Sequence, residues 1–525
     1  MPVSPTYPGV YIEELPSGVR TITGVATSVT AFIGRALRGP VDEPVTINSF
    51  ADFERTFGGL WLGSTLGFAV RDFYLNGGSQ AIIVRLFKDE TEPVAAPAAL
   101  GANGLSLEAV SPGAWGNSLR ARIDHNVSQD VAEGMSLTVN DLFNLTVRDM
   151  KTGAEELFRN LTIADTPLRV DRVLKNESRL VRVSNPLPVT VPVAHGAGAA
   201  GKSVWEDDTA SSKVEAADKV TDGAALAQNE FTGTGKQGAK QGLYALEKAD
   251  IFNLLVIPPY TADGNVDATL VGIAAQYCEA RRAMLLVDPP STWTGKDAAK
   301  SGVATVGTKS KNAALFFPRL KQANPLRKNQ IEEFVPSGAI AGIFARTDVQ
   351  RGVWKAPAGL ESTLVGISSL SVPLTDAENG ELNPLGVNCI RVMPAAGPVV
   401  WGARTLQGDD RLSSEWKYIP VRRLALYLEE SIYRATHWVV FEPNDEPLWA
   451  QIRLNIGSFM HSLFRQGAFQ GKTPQEAYLV KCDRETTTQD DINRGIVNIL
   501  VGFAPLKPAE FVIIKLQQMA GQIQA

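Results

Sequence analysis

Strand-forming sequence stands at both ends of this chain: PGVYIEE over residues 8–14 and PAEFVIIKLQ over residues 508–517. Chain termini fray unless something ties them down. In the second segment Phe511, Val512, Ile513 and Ile514 follow one another, and such a run left as an unpaired edge invites aggregation. Each end can tuck back into its own sheet, or it can add a strand to a sheet in another copy through main-chain hydrogen bonds. Val10, Tyr11, Ile12 and Glu13 are the matching pairing positions of the first segment. Ends that reach different neighbours make head-to-tail contacts, which close into rings or continue as open helices.

The 525 residues exceed one ordinary core and suggest about three or four domains. Apolar runs such as residues 254–257 and 284–287 fall far short of the roughly 20 residues that span a bilayer, so no direct membrane insertion is expected. The opening MPVSPTYPGVYIEE lacks the basic flank and apolar stretch of a secretory signal, which points to folding in a cytoplasm. Lys and Arg total 51 against 56 Asp and Glu, a formal charge of −5 with no long basic block, and this disfavours nucleic acid as a partner. Cys278, Cys389 and Cys482 are far apart, as are His125, His195, His437 and His461. They offer neither a disulfide framework nor the local spacing of a zinc site, and no cofactor is expected.

The chain reads as an α/β multidomain protein. A β-branched run at residues 25–34 suits a buried strand. Ser49 then opens a helix with Phe50, Phe53 and Phe57 on one face and Gly58 as its stop. A second helix over residues 64–75 and a strand over 81–87 follow. Residues 105–183 change to short alternating runs broken by Gly, Pro, Asn and Asp, the pattern of an inserted all-β module. Residues 188–235, rich in Pro, Ala, Gly, Ser and Lys, read as a mobile loop or insertion. Buried strands at 251–257 and 283–287 with a helix between them carry a parallel-sheet signature. The strands near residues 30 and 83 should join them, making the α/β domain discontinuous. Helices over 421–435 and 446–465 precede strands at 477–482 and 496–503, joined by polar loop and expected to form a hairpin with two open edges. The resulting division is an arm (1–22), the first part of the α/β domain (23–100), a β-rich insertion (101–187), the loop (188–235), the second part (236–402), an α+β C-terminal domain (403–508) and a second arm (509–525).

One motif points to a different class. Gly196, Gly201, Lys202 and Ser203 satisfy the phosphate-loop spacing GxxxxGK followed by Ser or Thr, and residues 284–288 resemble the strand whose aspartate, here Asp288, holds magnesium. A phosphate loop must leave a buried strand and open a helix so that backbone N–H groups converge on the anion. Pro186, Pro188 and Pro192 precede this one, which a central strand does not tolerate, so an NTPase is the weaker reading. Asp288 before two prolines fits a turn or a helix cap. Trp401, Trp416, Trp438 and Trp449 are read as packing and subunit-contact rings rather than a ligand platform.

The blocks PGVYIEE, GVATSVTAFIGRALRGPVDEPVTINSFADFERTFGG, NGGSQAIIVRLF, SPGAWGN, LEKADIFNLLVIPP, VPSGAIAGIFARTDVQRGVWKAPAG, LNPLGVNCIR, VWGARTL, EWKYIPVRRLALYLEESI, VVFEPNDEPLW, AYLVKCD and VGFAPLKPAEFVI closely resemble the contractile tail sheath family of phage tails and phage-like injection systems. They run in the family's order over most of the chain; residues 160–234 show no family pattern. The resemblance implies a discontinuous α/β sheath domain, an α+β C-terminal sheath domain and two strand arms. It also implies a structural role and no enzymatic one: hexameric rings stacked in a helical sleeve around an inner tube, with baseplate and tail-terminator or cap proteins as further partners. Such particles are assembled in the bacterial cytoplasm, and a phage tail and an injection system fit equally well. The arms would flank a neighbour's sheet formed by Tyr478, Leu479, Val480, Val497, Ile499 and Val501. Arg465, Lys472, Lys481 and Arg484 are expected to face the tube, where complementary charge gives register without interlocking. The β-rich insertion should decorate the outside.

Overall fold

The computed structural model describes residues 20–90, 96–184, 186–261 and 263–515. Val10, Tyr11, Ile12 and Glu13 lie outside them. Eight strands form the central sheet, in the order Gly397–Val400, Val387–Met393, Ala313–Phe317, Met284–Val287, Leu254–Val256, Thr30–Gly34, Ala81–Arg85 and Val45–Ile47. The six inner strands are parallel, with Thr30 opposite both Leu254 and Ala81, and only the two edge strands are antiparallel. Strand side chains alternate between faces, and here both faces are covered. Ala31, Ile33, Leu255, Leu285 and Leu315 pack with the Ala268–Ala280 helix on one side. Phe32, Ile83, Leu254, Leu286 and Phe316 pack with three helices, Phe50–Phe57, Leu66–Leu75 and Ser337–Arg351, on the other.

Local chemistry explains several boundaries. Ser49 Oγ accepts from the Asp52 amide at 3.1 Å and caps Phe50–Phe57, and Gly58 ends it with φ 89°, a left-handed conformation that favours glycine. The Leu66–Leu75 and Ser337–Arg351 helices approach closely because Gly338 and Gly342 lack side chains. A Cβ at Gly338 would lie 2.2 Å from the Ala69 carbonyl oxygen, and one at Gly342 2.5 Å from that of Phe73.

Between Ala81–Arg85 and Leu254–Val256 the chain builds two further antiparallel sheets. One has three strands, Ala99–Ala102, Leu105–Ala109 and Val181–Val183; the other has four, Leu119–Asp124, Leu142–Asp149, Glu155–Thr162 and Ser212–Lys213. They enclose a core that includes Leu107, Phe143 and Leu145. The all-β expectation is corrected, because helices Gln129–Gly134 and Val170–Glu177 belong to this region and the second buries Val170, Val173 and Leu174. The mobile loop expected at 188–235 is also corrected. Trp205, Val214, Leu226 and Phe231 are buried, Ser212–Lys213 pairs with Leu119–Asp124, and His195 Nδ1 accepts from the Ile123 amide at 3.0 Å. A few buried apolar side chains hold down a segment whose average composition is poor in them, while Val189 and Val193 stay exposed.

In the C-terminal section Ile419–Ala435 and Glu446–Arg465 bury Leu424, Leu428, Trp449, Ile456 and Met460 beneath a hairpin. Arg423 in the first of these helices meets Asp348 of Ser337–Arg351 at 2.6 and 2.8 Å, both side chains buried. That paired charge ties the section to the helix layer over the central sheet.

Candidate assembly surface

The hairpin consists of Tyr478–Lys481 antiparallel to Leu500–Phe503, with Tyr478 opposite Phe503 and Lys481 opposite Leu500. Among the described residues neither outer edge pairs with a further strand. Side chains alternate as period 2 requires: Tyr478, Val480, Val501 and Phe503 turn to the core, while Leu479 and Leu500 are exposed. The expected boundaries are corrected in two respects. Val497 and Ile499 precede the ladder and pack against the core beneath it. The connection carries a short helix, Gln489–Asn493, whose Thr488 cap accepts from the Asp491 amide.

Among the described residues Phe511, Val512, Ile513 and Ile514 join no strand. They are 74%, 81%, 82% and 77% exposed. The residue before them is held. Both carboxylate oxygens of Glu510 accept from Arg404, at 2.7 Å each, and one accepts from Tyr418 Oη at 3.1 Å. Arg404 is 1% exposed and also donates to Asp410 at 3.0 Å. Burial by itself would lower its pKa, but these carboxylates outweigh it and the net direction is upward. Burial would raise Glu510, and the hydrogen bonds and charge of Arg404 reverse that, so its carboxyl stays below the ordinary glutamate value. Nothing in the sequence pairs these residues, which stand 106 positions apart. Phe441 was equally invisible: it is fully exposed with φ 71°, a left-handed backbone that is an outlier for a bulky residue.

The basic residues expected to face a tube are exposed but flank the hairpin at its two ends. Lys472 lies before the Tyr478 end, where its amide donates to Glu476, and Arg465 closes the long helix. Lys481 and Arg484 lie at the far end, and Lys481 Nζ is 3.1 Å from Glu485, which offsets part of its charge.

The phosphate-loop match has the wrong surroundings. Among the described residues no strand enters residues 196–203 and no helix leaves them. Amides that would cradle an anion already donate to carboxylates, Ala199 to Asp207 at 2.7 Å and Ser203 to Glu206 at 3.3 Å. Asp288 accepts from the Ser337 amide at 2.9 Å and from Ser337 Oγ at 2.7 Å, at the start of Ser337–Arg351. Burial pushes its carboxyl up to about 6. Of the tryptophans, Trp449 is buried and donates to Asn444 at 2.9 Å, Trp416 and Trp438 lie under Arg422 and Arg20, and Trp401 is part-exposed.

Residues 232–406 match the phage tail sheath protein central domain and residues 412–518 the phage tail sheath C-terminal domain, together more than half the chain. The tail sheath protein of Burkholderia phage BcepMu is 25% identical over 487 residues, covering 88% of this chain and 87% of that one. Two solved structures share the fold over 98% of this chain. The contracted PVC sheath complex of an extracellular contractile injection system has TM-score 0.58 and 23% identity, with 98% of its own chain covered. The contracted helical sheath of the anti-feeding prophage has TM-score 0.54 and 24% identity, with 100% covered.

Proposed function

The chain belongs to the contractile tail sheath family, and from that premise we propose that it polymerises as a helical sleeve of stacked hexameric rings around an inner tube. Shortening of the sleeve then drives the tube through a target envelope. The subunit is structural: it turns over no nucleotide and needs no cofactor, and its partners are other copies, the tube protein, and baseplate and terminator or cap proteins. The sleeve is assembled in the bacterial cytoplasm as part of a phage tail or an injection-system particle. The β-rich insertion decorates its outside.

The observation that carries this reading is the exposed run Phe511, Val512, Ile513 and Ile514 in a chain whose two-stranded hairpin pairs with no further strand among the described residues. A sheet of two strands is marginal alone. Strands donated by the C-terminal arm of one neighbour and the Val10, Tyr11, Ile12 and Glu13 arm of another would complete it. Burying four such side chains is worth roughly 6–12 kcal/mol before the costs of association and ordering. That is enough to hold copies together while their bodies slide. Arg465, Lys472, Lys481 and Arg484 face the tube in this reading. The test removes everything after Pro508 and co-expresses the chain with tube protein. A monomer that melts normally and forms no sleeves supports strand exchange, and normal sleeves refute it.

A further inference from the structure

The exposed arm begins where an ion pair between buried Arg404 and half-buried Glu510 ends. Between the last hairpin strand, Leu500–Phe503, and Glu510, residues 506–509 run beside a cleft of about 870 Å³ also lined by Trp354 and Trp401. Before this linker, Ala504 is held by the Gln470 amide and the Ala477 carbonyl, at 2.8 Å each. Glu510 is the fixed point after it. Its partner is anchored in the central sheet: the Arg404 amide donates to Asn388 Oδ1 at 2.7 Å, and Asn388 Nδ2 donates to the Arg404 carbonyl at 2.7 Å and to that of Leu315 at 3.0 Å. Asn388 and Leu315 are fully buried in adjacent strands.

We propose that the Arg404–Glu510 pair is a clamp that passes tension on the C-terminal arm directly into the eight-stranded sheet, bypassing the hairpin. This rests on the strand-exchange reading given above. An arm held by one subunit and seated in another is pulled whenever the two move apart. Without a fixed point at Glu510 that pull passes along residues 506–509 to the backbone bonds of Ala504 with Gln470 and Ala477, and once these part it strips the four-residue ladder of the hairpin one pair at a time, destroying the acceptor for the next arm. With it, the pull meets a planar, bidentate, charge-assisted contact whose arginine is buried and hydrogen-bonded to the central sheet. The clamp lets one subunit be donor and acceptor at once.

Glu510→Ala tests this, because Asp410 still accompanies the buried Arg404 guanidinium and the chain should fold. Monomer melting is expected to be unchanged, and sleeves formed with the tube should shed subunits at a lower guanidinium concentration than wild type. Amides of Leu500–Phe503 should exchange at least about tenfold faster in variant than in wild-type sleeves while matching wild type in monomers, a difference that local fold damage would not confine to the assembly. Glu510→Gln should be intermediate. Wild-type behaviour of Glu510→Ala sleeves, with truncation after Pro508 still abolishing them, overturns the clamp alone. Normal sleeves from the truncated chain overturn strand exchange and the clamp with it. An unfolded Glu510→Ala monomer makes the pair a folding element and overturns the clamp as well.

Discussion

The central sheet and the C-terminal hairpin solve the same backbone problem in opposite ways. Every inner strand of the sheet has two ladder partners and two covered faces, with Phe32 and Phe316 fully or almost fully buried between helices. The hairpin has one buried face, exposed Leu479 and Leu500 on the other, and no strand on either outer edge among the described residues. Edges are ordinarily shielded or charged to block association. Here the apolar run at 511–514 likewise joins no strand among the described residues. The comparison separates what lets this chain fold from what lets it assemble.

Two substitutions break that comparison most sharply. Phe32→Ala should cost about 3–5 kcal/mol and lower expression and the melting temperature of the monomer. Ile513→Pro should leave monomer melting and circular dichroism unchanged and eliminate sleeves by negative-stain microscopy, because proline removes a ladder donor. A melting temperature lowered by Ile513→Pro would place the arm inside the fold and erase the distinction.

The insertion sharpens it next. Deleting residues 188–234 removes Trp205, which is buried against the insertion, and Phe231, which packs in the core beside the central sheet. The deletion should yield insoluble protein, and Trp205→Ala should lower stability by about 3–5 kcal/mol, measured by urea denaturation. A soluble deletion variant with a normal melt would restore the reading of a dispensable loop.

A pH effect of intermediate size is expected at the arm root. Glu510 has a folded pKa below its unfolded value of about 4.3, so the pair contributes in full above that value and is lost as pH falls through the lowered one. Hydrogen exchange of residues 505–510, corrected for its intrinsic pH dependence, should therefore rise below about pH 4, and Glu510→Gln should abolish that step. Charge reversal at Lys472 and Arg484 together should weaken co-assembly with the tube in a salt-sensitive way, and unaltered co-assembly at low salt would remove both from the tube-facing set.

The smallest effects are predicted at the phosphate-loop match. Lys202→Ala should change neither assembly nor contraction. Asp288 has its folded value raised to about 6, so its contribution to stability declines as pH rises from about 4 to about 6. Asp288→Asn should flatten that slope and shift stability at pH 7 by no more than about 3 kcal/mol, in the stabilising direction. ATP turnover abolished by either substitution would overturn the structural role.

Elements whose causes lie within a few residues were legible in the sequence. Ser49, the Phe53 and Phe57 face and Gly58 define a helix by capping and periodicity alone, and Glu446–Arg465 was equally plain. The hairpin could be recognised by its residue types, although Val497 and Ile499 fell outside the ladder, which begins at Leu500. Composition failed at residues 188–235, where averaging hid Trp205 and Phe231, the two side chains that do the anchoring.

What the sequence determined by itself was the supply of interactions: apolar strands, caps, and an arm too hydrophobic to stay alone. Only the tertiary structure decided how distant charges are spent, joining Arg404 to Glu510, Arg423 to Asp348, and Asp288 to the start of the Ser337–Arg351 helix. The reason is physical. Capping and side-chain periodicity act within a turn or a strand, whereas a buried charge takes whichever partner the packed layers bring within hydrogen-bond distance, and no local pattern encodes that choice.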